Sequence, residues 1–138
     1  MRVLIDTNVI LDVLTKREPH FALSASFLRM CGLKVTGYIT ASQTTDIFYM
    51  LRKHEKDACT IKWVLKRLTD NITVLDANND DVQNALASEM TDYEDALLAF
   101  CAKRQKIGYI ITRNEADFKM SPVPALSPRQ FLERFFPA

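Results

Sequence analysis

The sequence predicts an α/β protein with a central, mostly parallel sheet of four or five strands and helices on both faces. Short apolar runs of strand type alternate along the chain with longer amphipathic segments of helical type. The strand-like runs are apolar throughout, as expected of strands that are covered on both faces of a parallel sheet. A chain of 138 residues with 48% hydrophobic residues can bury a core without disulfides or structural zinc. We therefore expect a single domain over residues 1–138.

The first half of the chain is predicted to form two strands and four helices. Val3–Ile5 is a short apolar run of strand type, and Asp6-Thr7-Asn8 after it offers the side chains of a helix N-cap. Val35–Thr40 alternates and contains β-branched residues, which indicates a second strand. Apolar residues then recur at helical spacing in four segments, one directly after the first strand and the others at about 20–31, 41–54 and 57–69.

The second half continues the alternation. Strands are predicted at Ile72–Leu75 and Gly108–Thr112, with a short edge strand at Val123–Leu126. Helices are predicted from the caps Asn78–Asp81, Thr91–Glu94 and Pro128. Thr91-Asp92-Tyr93-Glu94 has the pattern of a capping box that opens a helix ending near residue 105.

Composition excludes several classes of protein. The net charge of +1 is too small for a strongly basic nucleic-acid binder, so any site for a polyanion must be a local patch. No glycine-rich phosphate loop of the Walker type is present, which argues against an NTP-driven motor. No segment has the length of a membrane span or of a signal peptide, and Cys31, Cys59 and Cys101 show no zinc spacing. We expect buried free thiols and a cytoplasmic protein without membrane contact.

Acidic residues recur where strands end or helices begin. In a parallel α/β sheet these points meet beyond the carboxyl ends of the strands, where ligands bind. Carboxylates gathered there would suit a hard cation such as Mg²⁺ or Mn²⁺. Each acid alone also fits a purely structural role, as an N-cap, as a charge near a helix N-terminus or as a solvated helix residue. The positions concerned are Asp6, Asp46, Asp92, Asp95 and Asp117.

The motifs in their order resemble those of PIN-domain nucleases. They are Val3-Leu4-Ile5-Asp6-Thr7-Asn8, Asp95-Ala96-Leu97, and Thr112-Arg113-Asn114 with Asp117-Phe118. The resemblance extends over essentially the whole chain, and by size it is to the VapC-type toxins of toxin–antitoxin pairs. It implies a three-layer PIN-like fold and an endoribonuclease dependent on Mg²⁺ or Mn²⁺.

The resemblance also implies roles for individual residues. Catalytic carboxylates would be Asp6, Asp46, Asp95 and Asp117, and the metal would be held by Asp6, Asp92, Asp95 and Asp117. The second acidic position is commonly Glu in the family, whereas the candidate here is the shorter Asp46. Supporting polar residues would be Thr7, Asn8, Thr112 and Asn114, with Arg113 as a phosphate contact.

The resemblance further implies an RNA substrate, a homodimer and a cognate antitoxin that lies across a groove near the active site. Apolar residues such as Phe27, Phe48, Tyr49 and Met50 could line that groove or simply pack in the core. Two other functions remain open at this point. One is a PIN-like module that binds RNA or protein but has lost its chemistry. The other is a phosphoryl-transfer enzyme for a small substrate.

Overall fold

A computed structural model describes residues 1–138 as a five-stranded, entirely parallel sheet between two layers of helices. The strand order is β3-β2-β1-β4-β5. The predicted α/β class and three-layer architecture are therefore confirmed. The strands are β1 (Arg2–Ile5), β2 (Thr36–Thr40), β3 (Ile72–Leu75), β4 (Tyr109–Ile111) and β5 (Ala125–Leu126).

Seven α-helices and one short 3₁₀ helix at Glu115–Phe118 connect and follow the strands. None of the helices is long and apolar enough to span a membrane. The α-helices are α1 (Thr7–Leu14), α2 (Phe21–Met30), α3 (Ala41–Leu51), α4 (Ala58–Leu68), α5 (Asn79–Ala87), α6 (Tyr93–Arg104) and α7 (Pro128–Phe135).

One predicted cap is wrong. Helix α6 is capped by Asp92, whose carboxylate accepts a hydrogen bond from the Asp95 backbone N–H at 3.0 Å, and not by the predicted capping box of Thr91 with Glu94. An aspartate is as good an N-cap as a threonine, so the pattern alone could not decide between the two neighbours. The Glu94 side chain is consequently free to face the cleft described below.

Alternate residues of the central strands face two separate cores. Val3 and Ile5 of β1 pack against α1, α2, α3, α4 and α7 on one face of the sheet. Leu4 packs against α5 and α6 on the other face, and all three residues are fully buried. Because β1 is fixed from both sides, the residue that follows it is held on a rigid support.

The chain order creates a switch point between β1 and β4. The chain moves from β1 outward through β2 and β3, and then crosses to the opposite side of β1 to form β4 and β5. Ile5 pairs with Ile111 at the ends of the two strands. The crevice beyond such a reversal of strand order is where open α/β sheets bind ligands. Asp6 and Thr112 are the first residues beyond the two strands.

Cys59 does not follow the expectation of buried thiols. Cys31 and Cys101 are buried, whereas Cys59 is exposed in the first turn of α4. Phe27 is fully buried and stacks edge-on against Phe131 with 5.4 Å between ring centroids, so it belongs to the core and not to an open groove.

Candidate active site at the switch point of the sheet

Asp6 is the N-cap of α1 and the most constrained carboxylate of the site. Its Oδ1 accepts a hydrogen bond from the Thr7 backbone N–H at 2.7 Å, and its Oδ2 accepts one from the Thr112 hydroxyl at 2.7 Å. Only 9% of the residue is exposed. The capping and ligand-binding interpretations of Asp6 are thus compatible, because the capped carboxylate still lines an open cleft.

Thr112 and Asn8 connect the ends of β1 and β4. The Thr112 hydroxyl also accepts a hydrogen bond from the Asn114 backbone N–H at 3.0 Å. The Asn8 amide lies 3.4 Å from both Asp6 Oδ2 and Thr112 Oγ1, and its Oδ1 accepts from the Arg113 backbone N–H at 3.4 Å. These contacts orient the Asp6 carboxylate in the way that neighbouring polar groups fix metal-binding side chains.

Gln43 is a supporting residue that sequence reasoning missed. It is buried in the first turn of α3, and its amide donates to the Ile5 carbonyl at 2.7 Å and to the Thr7 hydroxyl at 3.2 Å. Its Oε1 accepts from the Thr40 backbone N–H at 2.8 Å, which completes a capping box. The Thr-x-x-Gln spacing after β2 was the available signal, but it does not reveal the long-range bond to β1.

A cleft of about 730 Å³ opens beside Asp6 between α1, α3 and α6. The predicted acids Asp6, Asp46 and Asp95 lie on its wall together with Glu94, which was not predicted as a site residue. Asp92 and Asp117 are exposed outside that wall, although their charges act on Asp95. The structure therefore brings three of the five predicted acids into one cleft and leaves two at its margin.

The pKa values of Asp95 and Asp6 are both raised. Partial burial, followed by the charges of Asp6, Asp92, Asp117 and Glu94, raises the pKa of Asp95 to about 7. Burial also raises the pKa of Asp6, against the hydrogen bonds from Thr112 and Thr7, which favour its ionised form. Burial is therefore the main reason that both carboxyls are harder to ionise than an ordinary aspartate.

Asp46 and Glu94 face each other across the cleft. The charge of Asp46 is the main reason that the pKa of Glu94 is raised, with burial, Asp92 and Asp6 adding to it. Asp46 is exposed on α3 and its carboxylate makes no hydrogen bond. Glu94 therefore adds a carboxylate to the cleft wall on the side opposite Asp46.

Asn114 and Asp117 lie in the segment that follows β4. The Asp117 backbone N–H donates to the Asn114 carbonyl at 3.0 Å within the 3₁₀ helix, and both side chains are exposed. Asn114 contacts the site only through its backbone, by the bond to Thr112.

Arg113 points away from the acidic cleft. Its Nε donates to Oδ2 of the fully buried Asp12 at 2.7 Å, and the Ser24 hydroxyl donates to the same oxygen at 3.0 Å. Arg17 approaches Asp12 Oδ1 at 3.9 Å. Arg17 and Lys53 are the cations on the wall of the acidic cleft, so Arg113 contributes no lining there. Its predicted contact with a phosphate stays a prediction.

The donor set fits a hard divalent cation. Every ionisable ligand at the site is a carboxylate, which matches the oxygen preference of Mg²⁺ and Mn²⁺. Nowhere in the chain do three carboxylate, imidazole or thiol groups converge closely enough to enclose an ion by themselves. Mg²⁺ in proteins commonly keeps several waters and binds through one or two carboxylates together with substrate phosphates.

Comparison with known proteins identifies the family of this chain. The model of a family described as PIN domain matches residues 2–116. The ribonuclease VapC1 of Aquifex aeolicus (strain VF5) is 23% identical over 140 residues, which cover 97% of this chain and 95% of that protein.

Two solved structures share the fold. One is VapBC2 from Rickettsia felis bound to a DNA fragment from its promoter, with a TM-score of 0.72, 16% identity, and coverage of 92% of this chain and 98% of that chain. The other is a toxin–antitoxin complex from Klebsiella pneumoniae, with a TM-score of 0.70, 18% identity, and coverage of 91% and 97%. At these identities the likeness is one of fold.

Proposed function

This chain belongs to the PIN-domain family, and on that basis we propose that it is a metal-dependent endoribonuclease and the toxin of a toxin–antitoxin pair. The observation that carries the proposal is the cluster of carboxylates at the switch point of the sheet, where the pKa of Asp95 rises to about 7. An uncompensated cluster of this kind favours a bound cation. The similarity to the ribonuclease VapC1 supports RNA as the substrate.

Asp6, Asp92, Asp95 and Asp117 would hold one or two Mg²⁺ or Mn²⁺ ions, with Asp46 and Glu94 completing the acidic surface. A bound divalent cation supplies Lewis acidity, which lowers the pKa of water and offsets negative charge on the phosphodiester oxygens.

Hydrogen bonds within the chain fix the orientation of the Asp6 carboxylate. Thr112 and Asn8 hold Oδ2 of Asp6, while the Thr7 backbone N–H holds Oδ1. Because Asp6 follows a strand that is buried on both faces, its carboxylate is positioned before any ligand arrives. Arg17 and Lys53 on the same wall would contact phosphates of the RNA backbone without reading its sequence.

The acidic cleft also offers a surface for a protein partner. One solved structure of the same fold is a toxin–antitoxin complex from Klebsiella pneumoniae. Tyr49 and Met50 line the acidic cleft here, and Tyr49 is 69% exposed. An exposed aromatic at the edge of an acidic cleft suits an antitoxin segment that combines apolar and basic side chains. A homodimer is expected from the same resemblance.

The proposal is tested with purified protein from which any co-purifying partner has been removed under denaturing conditions before refolding. A mixed RNA pool is incubated with Mg²⁺, with Mn²⁺ or with EDTA, and the product ends are mapped. We expect cleavage only with metal, leaving a 5′-phosphate and a 3′-hydroxyl. Metal-independent cleavage, or a 2′,3′-cyclic phosphate, would contradict the proposed chemistry.

A further inference from the structure

A second cleft, which we call the arginine cleft, lies on the other side of the switch point. It has a volume of about 350 Å³ and is bounded by the loop before α2 with the first turn of that helix, by Arg113 two residues after β4, and by the start of α7. Arg113, Arg129 and His20 lie on its wall, and the wall contains no carboxylate. This is the reverse of the acidic cleft, whose wall has four carboxylates and two cations.

Arg113 is fixed in the arginine cleft before any ligand binds. Its Nε is bonded to the buried Asp12, which Ser24 also holds. The two terminal nitrogens of the Arg113 guanidinium make no hydrogen bond within the protein. A guanidinium that is anchored through Nε and presents its other nitrogens is preorganised to receive an oxyanion.

Arg129 is a second cation of the arginine cleft, and its own ion pair within the protein is weak. Its ion pair is with Glu133, at 3.8 Å, and both side chains are more than 60% exposed. Exposed pairs of this kind contribute little free energy, so the guanidinium can exchange its partner for an incoming anion.

The two clefts have no lining residue in common, but hydrogen bonds at the end of β4 connect them. Thr112, which donates to Asp6, immediately precedes Arg113 in the chain. The backbone N–H of Arg113 bonds to Asn8, which lines the acidic cleft. A single strand of RNA that leaves Asp6 along the Thr112–Arg113 segment would therefore reach the arginine cleft.

We propose that the arginine cleft binds a backbone phosphate of the same RNA strand whose scissile bond lies in the acidic cleft. This inference rests on the proposed ribonuclease function and adds a substrate-binding site to it. It also resolves an electrostatic difficulty, because a polyanion is repelled by the carboxylates unless fixed cations nearby hold it. Two guanidinium groups recognise phosphate geometry and are indifferent to base identity.

The test compares steady-state RNA cleavage by the wild type, by Arg129→Gln and by the control Arg29→Gln. Arg29 is an equally exposed arginine on α2 that lines a different cleft. We expect Arg129→Gln to raise KM by roughly threefold to tenfold with kcat unchanged, because it removes a contact made equally in the ground and transition states. The slope of log(kcat/KM) against log[salt] should fall in magnitude by about 0.7, the value for one phosphate contact on a single strand.

A series of oligonucleotides shortened one nucleotide at a time identifies the phosphate concerned. For the wild type, KM should rise abruptly at the length that removes this phosphate. Arg129→Gln should show no step at that length, because the contact is already missing.

The outcomes separate the two proposals. If the wild type cleaves RNA and Arg129→Gln matches it in KM and salt slope, the arginine cleft is not a phosphate site and the ribonuclease proposal stands. An equal effect of Arg29→Gln on KM and on the salt slope would also overturn the assignment of the arginine cleft as a phosphate site, because the effect would then come from net charge. If the wild type cleaves no RNA with any metal, both proposals fall.

Discussion

Replacing Asp95 by asparagine should make the metal-free protein more stable, although it removes a proposed active-site carboxylate. Burial and neighbouring charges raise the pKa of Asp95 from its ordinary value of 3.8 to about 7. The cost of burying Asp95 therefore grows as pH rises above 3.8 and is complete above about 7. The Asp95 carboxylate accepts no hydrogen bond within the protein, so the amide of Asn sacrifices none.

The size of the effect follows from the pKa. One pKa unit corresponds to about 1.4 kcal/mol, so the full change at Asp95 sets an upper limit of about 4 kcal/mol. Asp95 is only half-buried, and solvent screening reduces this figure to about 1–2 kcal/mol. The sign follows from linkage: a group with a raised folded-state pKa loses its stabilising contribution as pH rises through that pKa. The difference between variant and wild type should be present at about pH 8 and vanish near pH 4.

Urea unfolding in EDTA at these two pH values measures the difference. Glu89→Gln is the matched control, because Glu89 is exposed and forms no ion pair, and it should change little at either pH. Added Mn²⁺ should stabilise the wild type more than Asp95→Asn, since a cation offsets the same repulsion. The reasoning is refuted if Asp95→Asn is no more stable than the wild type at pH 8 without metal.

Three further substitutions test the contacts that support the site, each by urea unfolding. Thr112→Val should have a free energy of unfolding about 1.5–3 kcal/mol lower than Thr112→Ser, because only serine keeps the hydroxyl that donates to Asp6. Equal stabilities of the two variants would contradict this. Asp12→Asn should lower the free energy of unfolding by about 3–5 kcal/mol, because it leaves Arg113 without its buried counter-charge. A loss below about 1 kcal/mol, the level of an exposed ion pair, would argue against the importance of this pair. Gln43→Met should lower the free energy of unfolding by at least about 2 kcal/mol, because the Ile5 carbonyl and the Thr40 N–H lose their hydrogen bonds to the Gln43 side chain. An unchanged urea midpoint would show that water replaces both bonds.

The sequence was sufficient to predict the architecture because local patterns report burial. β1 is apolar at every buried position, as a strand covered on both faces requires, and α4 has the periodicity of a helix with one wet face. Prediction was poorer where two adjacent residues could serve equally, as with Thr91 and Asp92 at the start of α6. Cap geometry depends on the path of the preceding loop, which residue identities do not encode locally.

The sequence indicated part of the acidic cleft but not the contacts that support it. Asp6, Asp46 and Asp95, which the resemblance implied, share one cleft, whereas Asp92 and Asp117 lie outside its wall and Glu94 was not predicted. The pairing of Arg113 with Asp12 spans 101 positions in the chain, and the bond from Gln43 to β1 spans 38. Contacts of that separation are set by the topology of the sheet, so local patterns could not indicate that Arg113 turns away from the acidic cleft.

The most direct test of the account compares the wild type with the double variant Asp6→Asn, Asp95→Asn in two measurements on the same preparations: Mn²⁺ binding by calorimetry and cleavage of an RNA pool with Mn²⁺ or EDTA. We expect the double variant to be folded, because the repulsion relieved at Asp95 opposes the loss of the hydrogen bond that Asp6 accepts from Thr112. It should bind Mn²⁺ far more weakly and leave the RNA intact, while the wild type binds the metal and cuts. Equal cleavage by the two proteins, or cleavage by the wild type in EDTA, would contradict the claim that the carboxylates at the switch point hold the metal that drives RNA hydrolysis.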